Sequence, residues 1–416
     1  MNKFYTVIFV GLNLGLAWAI RGSFGHEWGA AWAGGIGGLA VIVIFNRQDW
    51  NQKAPLIAFL SAIGWGVGGM MSYGKVIGYT NTVDFGTGAY GYTMLALIGA
   101  LYGFIGGGFT GLGLESSAHK KPDWAALITQ MVAGAYLSWG LLIYQLEWLM
   151  TPPRSELWAA CFGASAALFW YFKRNGFTNS LRVALYAALG AGFGFAFGDF
   201  IKVTGGALGP AFNWWNVMEF TLGFCGGVAM AYAIATSRWD TSSNVSSFNN
   251  RVSLILAFLV IPFTVYVNAF DSESMVELAE RLDLKPTGSF VLAQQITALA
   301  LMLIFAIVAY SIWIAARLTT QVKSQVLLSL LLVNYLLFVY LVKGIFKMPI
   351  DMGNSVHWYL PMVIAIFFSW YFVRKQEVGT VAERKEFQRL PWLYAGLIVV
   401  LLVISYISIH VYKLPS

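Results

Sequence analysis

The stretch GYTMLALIGALYGFIGGGFTGLGL, residues 91–114, decides the fold class of this chain. It contains no charged residue, and it is long enough to cross the roughly 30 Å hydrocarbon core of a bilayer as one α-helix. Backbone N–H and C=O groups find no water in lipid, so a spanning segment must bond them internally, in a helix or a closed barrel. Barrel strands alternate apolar and polar residues, and this stretch does not. It therefore predicts a transmembrane helix.

The composition of the whole chain supports the same conclusion. Of the 416 residues, 58% are hydrophobic and only 11% are charged, whereas soluble domains carry about 25% charged residues. An apolar excess of this size predicts an outer surface that faces lipid. The net charge of +7 arises from basic residues in short loops between apolar runs. We interpret it as a sign of membrane orientation and expect no nucleic-acid partner.

Apolar runs of similar length recur along the chain and predict an all-α polytopic integral membrane protein with about 13 transmembrane helices. The runs lie near residues 4–20, 28–45, 55–72, 91–114, 124–148, 156–172, 181–201, 217–236, 252–270, 288–316, 325–346, 355–373 and 391–412. The first run is followed by Arg21 and Gly22 without a small-residue cleavage site, so we interpret it as a spanning helix and not as a signal peptide.

The distribution of basic residues predicts how the chain is oriented. Most of the 26 Lys and Arg residues fall in the set of loops that includes the N-terminus. The positive-inside rule then predicts a cytoplasmic N-terminus and an extracytoplasmic C-terminus. We expect the cell membrane, and more specifically a bacterial inner membrane, as the location of the protein.

Glycine content divides the chain into two parts. Nearly all of the 44 glycines lie in residues 1–240, whereas residues 252–416 are built from larger apolar side chains. The polar residues 241–251 between them have the composition of a linker, which the predicted orientation places in the cytoplasm. We therefore predict a glycine-rich bundle of eight helices followed by a flank of five helices. Glycines spaced by four residues favour close helix packing in the bundle.

The eight glycine-rich helices also show a weak internal repeat. Glu27, Glu156 and Glu219 each stand seven positions before a pair of small residues, and Tyr92 takes that place in the remaining hairpin. Equivalent hairpins would share one orientation, so the pattern predicts four parallel hairpin repeats. Chance similarity among glycine-rich helices is the alternative explanation.

Unusual polar residues gather at the predicted outer ends of these hairpins. Basic residues are disfavoured on that side of a membrane, so those that occur there suggest contact with an anionic ligand. Carboxylates at membrane depth are candidates for proton coupling. The predicted substrate-binding residues are Arg21, Ser23, Lys75, Asn81, Lys202, Asn213 and Trp214, and the predicted proton-coupling residues are Glu27, Asp199 and Glu219.

Structural roles could explain several of the same residues. A Glu in the first turn of a helix is stabilised by the helix dipole, and Asn216 with Glu219 fits a variant of the capping box. Long basic side chains near helix ends can reach the headgroups. The turn from Arg21 to Glu27 is harder to explain in this way, because His26 beside Glu27 has the chemistry of an acid–base pair. One His–Glu pair lacks the spacing of a helical metal site, so we expect neither a metal nor a cofactor.

These patterns predict a secondary transporter or permease for a small polar, anionic solute, with an extracytoplasmic-side cavity built from hairpins 1, 2 and 4. No nucleotide P-loop or Gly-x-Ser-x-Gly elbow occurs. Two alternatives stay open. One is a membrane-embedded transferase or hydrolase that uses His26 and Glu27 as catalytic groups on a lipid-linked or extracytoplasmic anionic substrate. The other is a subunit of a larger membrane complex. The expected partners are membrane lipid, the solute, and either a second copy of the chain or other membrane subunits.

Overall fold

A computed structural model gives the fold and describes residues 3–117, 119–209, 212–241, 245–285, 287–344, 359–374 and 390–412. Throughout these residues the regular secondary structure is helical, with no strand among them. The first ten helices are α1 (Lys3–Arg21), α2 (His26–Phe45), α3 (Gln48–Asn51), α4 (Ala54–Gly69), α5 (Gly74–Thr80), α6 (Phe85–Glu115), α7 (Trp124–Trp139), α8 (Leu157–Asn175), α9 (Thr178–Ala207) and α10 (Trp214–Ala235).

Seven further helices complete the described chain. They are α11 (Ser247–Ile255), α12 (Ile261–Ala269), α13 (Ser272–Arg281), α14 (Thr287–Ile314), α15 (Thr320–Val342), α16 (Tyr359–Arg374) and α17 (Leu390–Tyr412). A π-helical segment extends α7 over Gly140–Gln145, and a second one joins α11 to α12 over Leu256–Val260.

Ten spans of the described chain are helical, long and apolar enough to cross a membrane, and the bent pair α4 and α5 raises that number to 11. About ten such helices indicate a multi-pass α-helical membrane protein, which is the fold class that the apolar runs predict. The helices α8 and α16 coincide with two further predicted spans but are not among the ten. The count of 13, the four-hairpin repeat and the orientation of the chain ends stay predictions.

The helices fall into a buried centre and a periphery. The helices α2 and α6 are enclosed by other helices over most of their length, whereas α7, α14 and α17 leave most of their surface uncovered. Large apolar side chains stand on these outer helices with more than half of their surface exposed, among them Tyr136, Ile307 and Trp392. Exposed apolar surface on this scale is what a lipid-facing helix presents.

Small residues set the close contact between α6 and α9. Gly103 of α6 faces the backbone of α9, and a methyl group added at Gly103 would overlap the carbonyl oxygen of Ala187. Gly99 and Gly107, one turn away on either side, face the same helix. The four-residue spacing of these glycines therefore brings two helix backbones together, as the sequence predicts.

A break separates α4 from α5, and the two helices meet at an angle of 61°. Residues 70–73 at the break do not continue the helix, so some backbone groups there lose their helical partners. The hydroxyl of Tyr102, from the middle of α6, donates a hydrogen bond to the carbonyl oxygen of Met71 at 3.0 Å. Irregular backbone inside a membrane protein needs such internal partners, because lipid offers none.

We expect Gly103→Ala to destabilise the protein by about 2 kcal/mol, because overpacking a tight contact typically costs about 1–3 kcal/mol. Gly78→Ala is the matched control, since a methyl group at Gly78 meets no atom within 4 Å. Thermal unfolding of both variants in detergent measures the difference. Equal midpoints for the two variants would show that the contact between α6 and α9 is looser than described.

Candidate functional site

A buried network of three polar side chains joins α1, the break before α5, and α10. The Arg21 Nε atom lies 3.3 Å from Glu219 Oε2, and Arg21 Nη2 donates to the hydroxyl oxygen of Tyr73 at 3.1 Å. The Tyr73 hydroxyl in turn donates a hydrogen bond to Glu219 Oε1. Arg21 and Glu219 are both 0% exposed, and Tyr73 is 1% exposed. The three groups therefore form a closed triangle without contact to solvent.

Aromatic rings surround the guanidinium group of this network. The Arg21 Cζ atom lies 5.0 Å from the ring centroid of Trp18, 5.5 Å from that of Tyr73 and 5.8 Å from that of Tyr102. The negative ring faces attract a cation, most strongly where water is excluded. Arg21 also closes the last turn of α1, where the helix dipole favours positive charge. The ion pair with Glu219, the aromatic rings and the helix dipole therefore all stabilise the cation at this position.

The network lies at the level of the middle of the two longest helices. Tyr102 stands near the centre of α6, which has 31 residues, and Phe195 near the centre of α9, which has 30. These two rings stack with their centroids 6.2 Å apart. Tyr73 meets the Phe195 ring edge-on at 5.0 Å. Arg21, although it ends α1, is therefore deep in the bundle and not at its rim.

A second buried carboxylate contacts the other end of α5. Asp199 on α9 is 0% exposed, and its Oδ1 atom lies 2.9 Å from the Lys202 Nζ atom. The hydroxyl of Thr80, the last residue of α5, donates to Asp199 Oδ2 at 2.5 Å. Tyr73 immediately precedes α5 and contacts Glu219. The short helix α5 is thus held at both ends by hydrogen bonds to buried carboxylates.

Each of the two carboxylates that contact the α5 segment is matched by one cation. Glu219 is paired with Arg21, and Asp199 with Lys202. Removing an ion from water costs several kcal/mol, and a partner in contact offsets that cost only while both charges are present. A change in the charge of one residue, for example by protonation of the acid, therefore destabilises the ion pair to which it belongs.

The remaining predicted site residues lie in several different environments. Lys75, Asn81 and Glu27 are exposed, and Ser23 is half-buried in the turn after α1. The side chain of His26 lies outside the part of the chain that the structure describes. The structure therefore brings Arg21 and Glu219 together, and Asp199 with Lys202, while Lys75, Asn81 and Glu27 stand outside these two pairs.

Asn213 and Trp214 begin α10 and have visible structural roles. The Asn213 side chain caps the helix by accepting from the backbone N–H of Asn216 at 3.1 Å. The capping box that Asn216 and Glu219 offered as an alternative explanation is therefore not formed, because the N-cap lies three residues earlier, at Asn213, and Glu219 contacts Arg21 instead. The ring of Trp214 packs against Gly205 on α9.

Glu156, which also belongs to the predicted repeat, has a structural explanation. Its carboxylate accepts hydrogen bonds from the backbone N–H groups of Met150 and Thr151 at 2.9 and 2.8 Å, and from the indole N–H of Trp158 at 2.9 Å. A carboxylate that accepts three N–H groups fixes the loop before α8. Glu156 therefore serves the shape of this loop.

Sequence reasoning did not select the hydroxyl groups that complete the two buried sites. Tyr73, Tyr102 and Thr80 were indistinguishable from interfacial or packing residues because many tyrosines occur in the chain. One signal was available: the apolar, glycine-rich run that ends at Met71 is followed directly by the polar residues Ser72 and Tyr73. Side chains at such a break point either into the helix bundle or out of it, and Tyr73 points into the bundle.

Comparison with protein-family models, curated proteins and solved structures finds no match to this chain. Within the described ranges, no group of three His, Cys, Asp or Glu side chains is placed to hold a metal ion.

We expect Arg21→Gln and Glu219→Gln each to lower the free energy of unfolding by about 3–5 kcal/mol, because each leaves a buried charge without its partner. The double variant should lose less than the sum of the two losses, since no uncompensated charge then remains. Unfolding in detergent measures the three values.

Asp49→Asn is the control for this measurement. Asp49 pairs with Arg47 at 2.8 Å, but that pair is partly exposed, and such pairs contribute about 0–1 kcal/mol. Additive losses in the double variant would show that Arg21 and Glu219 are not energetically coupled.

Proposed function

We propose that this protein is a secondary transporter for a small, polar, anionic solute, driven by protons. The single observation that carries the proposal is the network of Arg21, Tyr73 and Glu219 at the break between α4 and α5. Secondary transporters typically use discontinuous helices with charged groups near the middle of the membrane. Ionisable side chains at that depth are costly and generally serve a function.

Charge balance explains how such a site couples an anion to a proton. In the described arrangement the positive charge of Arg21 is cancelled by Glu219. An anion that bound there alone would leave one negative charge in a medium of low dielectric constant, at high cost. A proton on Glu219 removes that charge and frees the guanidinium for a bidentate contact with a carboxylate or phosphate group. Binding of anion and proton together keeps the site neutral.

The short helix α5 is the element best placed to move when the acids change charge. Tyr73 donates to Glu219 at one end of α5, and Thr80 donates to Asp199 at the other. Protonation of either carboxylate weakens the hydrogen bond that it accepts, because a charged acceptor binds a donor more strongly than a neutral one. Since the network is buried, the solute reaches Arg21 only when a neighbouring element shifts. We assign that movement to α5.

The helices that build the network belong to the predicted hairpins 1, 2 and 4. Lys75 and Asn81, on and just after α5, are exposed, and in this proposal they contact the solute before it reaches Arg21. Lys202 is the ion-pair partner of Asp199, and in this proposal the exposed Glu27 takes up protons beside the turn that follows α1. These roles extend the assignment of substrate-binding and proton-coupling residues made from the sequence.

We also propose a layout of 13 spans in a bacterial inner membrane, with a cytoplasmic N-terminus. This count is supported by the ten apolar spans and the bent pair α4 and α5, together with the helices α8 and α16, which coincide with the two remaining predicted runs. The excess of basic residues in the loops on the N-terminal side supports the orientation.

We expect Glu219→Gln to abolish proton-coupled anion uptake. Purified protein is reconstituted into liposomes that contain a pH-sensitive dye, with the outside more acidic than the lumen. Phosphate, sulfate, succinate and citrate are then added one at a time. The wild-type protein should acidify the lumen with at least one of them faster than protein-free liposomes do, whereas the variant, which can no longer release a proton at residue 219, should not.

Asp49→Asn is again the matched control, because it removes a carboxylate that pairs with an arginine outside the network. It should transport at the wild-type rate. Uptake by Glu219→Gln equal to that of the wild-type protein, or no uptake of any anion by the wild-type protein, would contradict the proposal. Chemical conversion of an added anion without uptake would favour the membrane-embedded enzyme instead.

The layout predicts that the two ends of the chain lie on opposite sides of the membrane. A reporter that fluoresces only in the cytosol should be active at the N-terminus and dark at the C-terminus of the protein expressed in bacteria. A phosphatase that is active only outside the cytosol should give the reverse pattern. The same response at both ends would remove one span from the count and reverse the face assigned to the C-terminal loops.

A further inference from the structure

A cleft of about 500 Å³ with a mixed polar and apolar lining lies between the turn after α1 and the C-terminal helices. Its walls come from Ser23, Phe24 and Gly25 of that turn, from the end of α12, from α13, and from the end of α15. This volume lies within the range of about 300–1,000 Å³ that is usual for small-molecule sites. The buried network of Arg21, Tyr73 and Glu219 does not line this cleft.

Two cations face the cleft from different helices. Lys343 follows the last residue of α15, and Arg281 ends α13. Burial lowers the pKa of Lys343 below its ordinary value, and the positive charge of Arg281 lowers it further. Both cations line the same cleft, and like charges that share a cleft repel each other. An anion between them would relieve that repulsion and accept hydrogen bonds from both.

One carboxylate shares the cleft with these cations. Glu277 lies one helical turn before Arg281 on α13, and both side chains are exposed. At this spacing Glu277 partly neutralises the charge of Arg281, whereas Lys343 is not on the same helix. The charged lining therefore keeps an excess of one positive charge, and Glu277 competes with any anionic ligand.

The structure of the turn links the cleft to Arg21. Gly25 has a φ of +84°, a conformation that glycine adopts without strain, and it lets the chain reverse between α1 and α2. The backbone N–H of Phe24 donates to the carbonyl oxygen of Arg21 at 2.9 Å. The Phe24 ring is 1% exposed and packs against Tyr335 with the ring centroids 5.0 Å apart. Phe24 thus separates the cleft from the interior of the bundle.

We infer that this cleft is a second binding site for a small soluble anion that carries a carboxylate or phosphate group, with Lys343 and Arg281 as its principal ligands and Ser23 as a hydroxyl donor. The class of ligand rests on the proposed transport of an anion. The cleft would collect the solute on the side where α1 ends, and a shift of the Phe24 turn would connect it to Arg21.

Direct binding tests this inference without requiring transport. Radiolabelled inorganic phosphate and succinate are added separately to the full-length protein in detergent, and bound ligand is measured by equilibrium dialysis. We expect saturable binding of at least one probe, weakened about tenfold by Lys343→Gln or Arg281→Gln, because each substitution removes a charge-assisted hydrogen bond to the anion. Glu277→Gln should tighten binding, since it removes the competing carboxylate.

Lys285→Gln is the matched control, because Lys285 is an exposed cation just beyond α13 that does not line the cleft. It should bind as the wild-type protein does. The double variant Arg21→Gln with Glu219→Gln removes the buried site and should keep only the part of the binding that Lys343→Gln or Arg281→Gln weakens, since the cleft does not use the buried pair. Binding that survives both cleft substitutions but is lost in this double variant would overturn the inference and leave the proposed transport intact.

Two other results would also overturn it. One is the absence of saturable binding of either probe, and the other is displacement of the bound probe by added phosphatidylglycerol, which would assign the cleft to a lipid headgroup. Binding that follows the expected pattern, with no uptake by liposomes, would instead uphold the cleft and contradict the proposed transport.

Discussion

The burial of one guanidinium group constrains the arrangement of the whole bundle. Arg21 is fully enclosed near the level of the middle of α6 and α9, where a cation without a counter-charge would be prohibitively costly. Glu219 must therefore approach it from α10, and Tyr73 must turn inward from the break before α5. Three features stabilise this buried charge. They are the contact of α1 with α10, the break in the second hairpin and the surrounding aromatic rings.

Helices bring charged side chains into contact at such depth only if their backbones approach closely. Gly15 of α1 lies against Phe220 and Phe224 of α10, so the two helices that carry Arg21 and Glu219 meet where α1 has no side chain. The C-terminal helices then close the arrangement. Asn216 donates to the hydroxyl oxygen of Tyr359 at 2.7 Å, and that hydroxyl donates to the carbonyl oxygen of Ala19 at 3.2 Å. Helix α16 thus bridges the same two helices from outside.

The sequence was sufficient for the helical, multi-pass class, because runs such as residues 91–114 allow no other structure in lipid. It also indicated Arg21 and Glu219 separately, since charges are scarce in an apolar chain and therefore conspicuous. It could not pair them, because 198 positions separate them and no local pattern encodes which helices are neighbours. Tyr73 was missed for a related reason: a hydroxyl on an aromatic ring suits both an interface and a buried network, and only the 61° bend decides between them.

The lengths of α6 and α9 have a consequence for the lipid around the protein. With about 30 residues each, these helices measure roughly 45 Å, well beyond the roughly 30 Å of a typical hydrocarbon core. They must therefore tilt or project into the headgroup layer, and the degree of tilt depends on bilayer thickness. Tyr102 and Phe195 stack near the midpoints of these helices, and Tyr102 also contacts Arg21, so the tilt of the two helices affects the surroundings of the buried charges. We therefore expect the acyl-chain length of the lipid to affect the geometry around the Arg21–Glu219 ion pair.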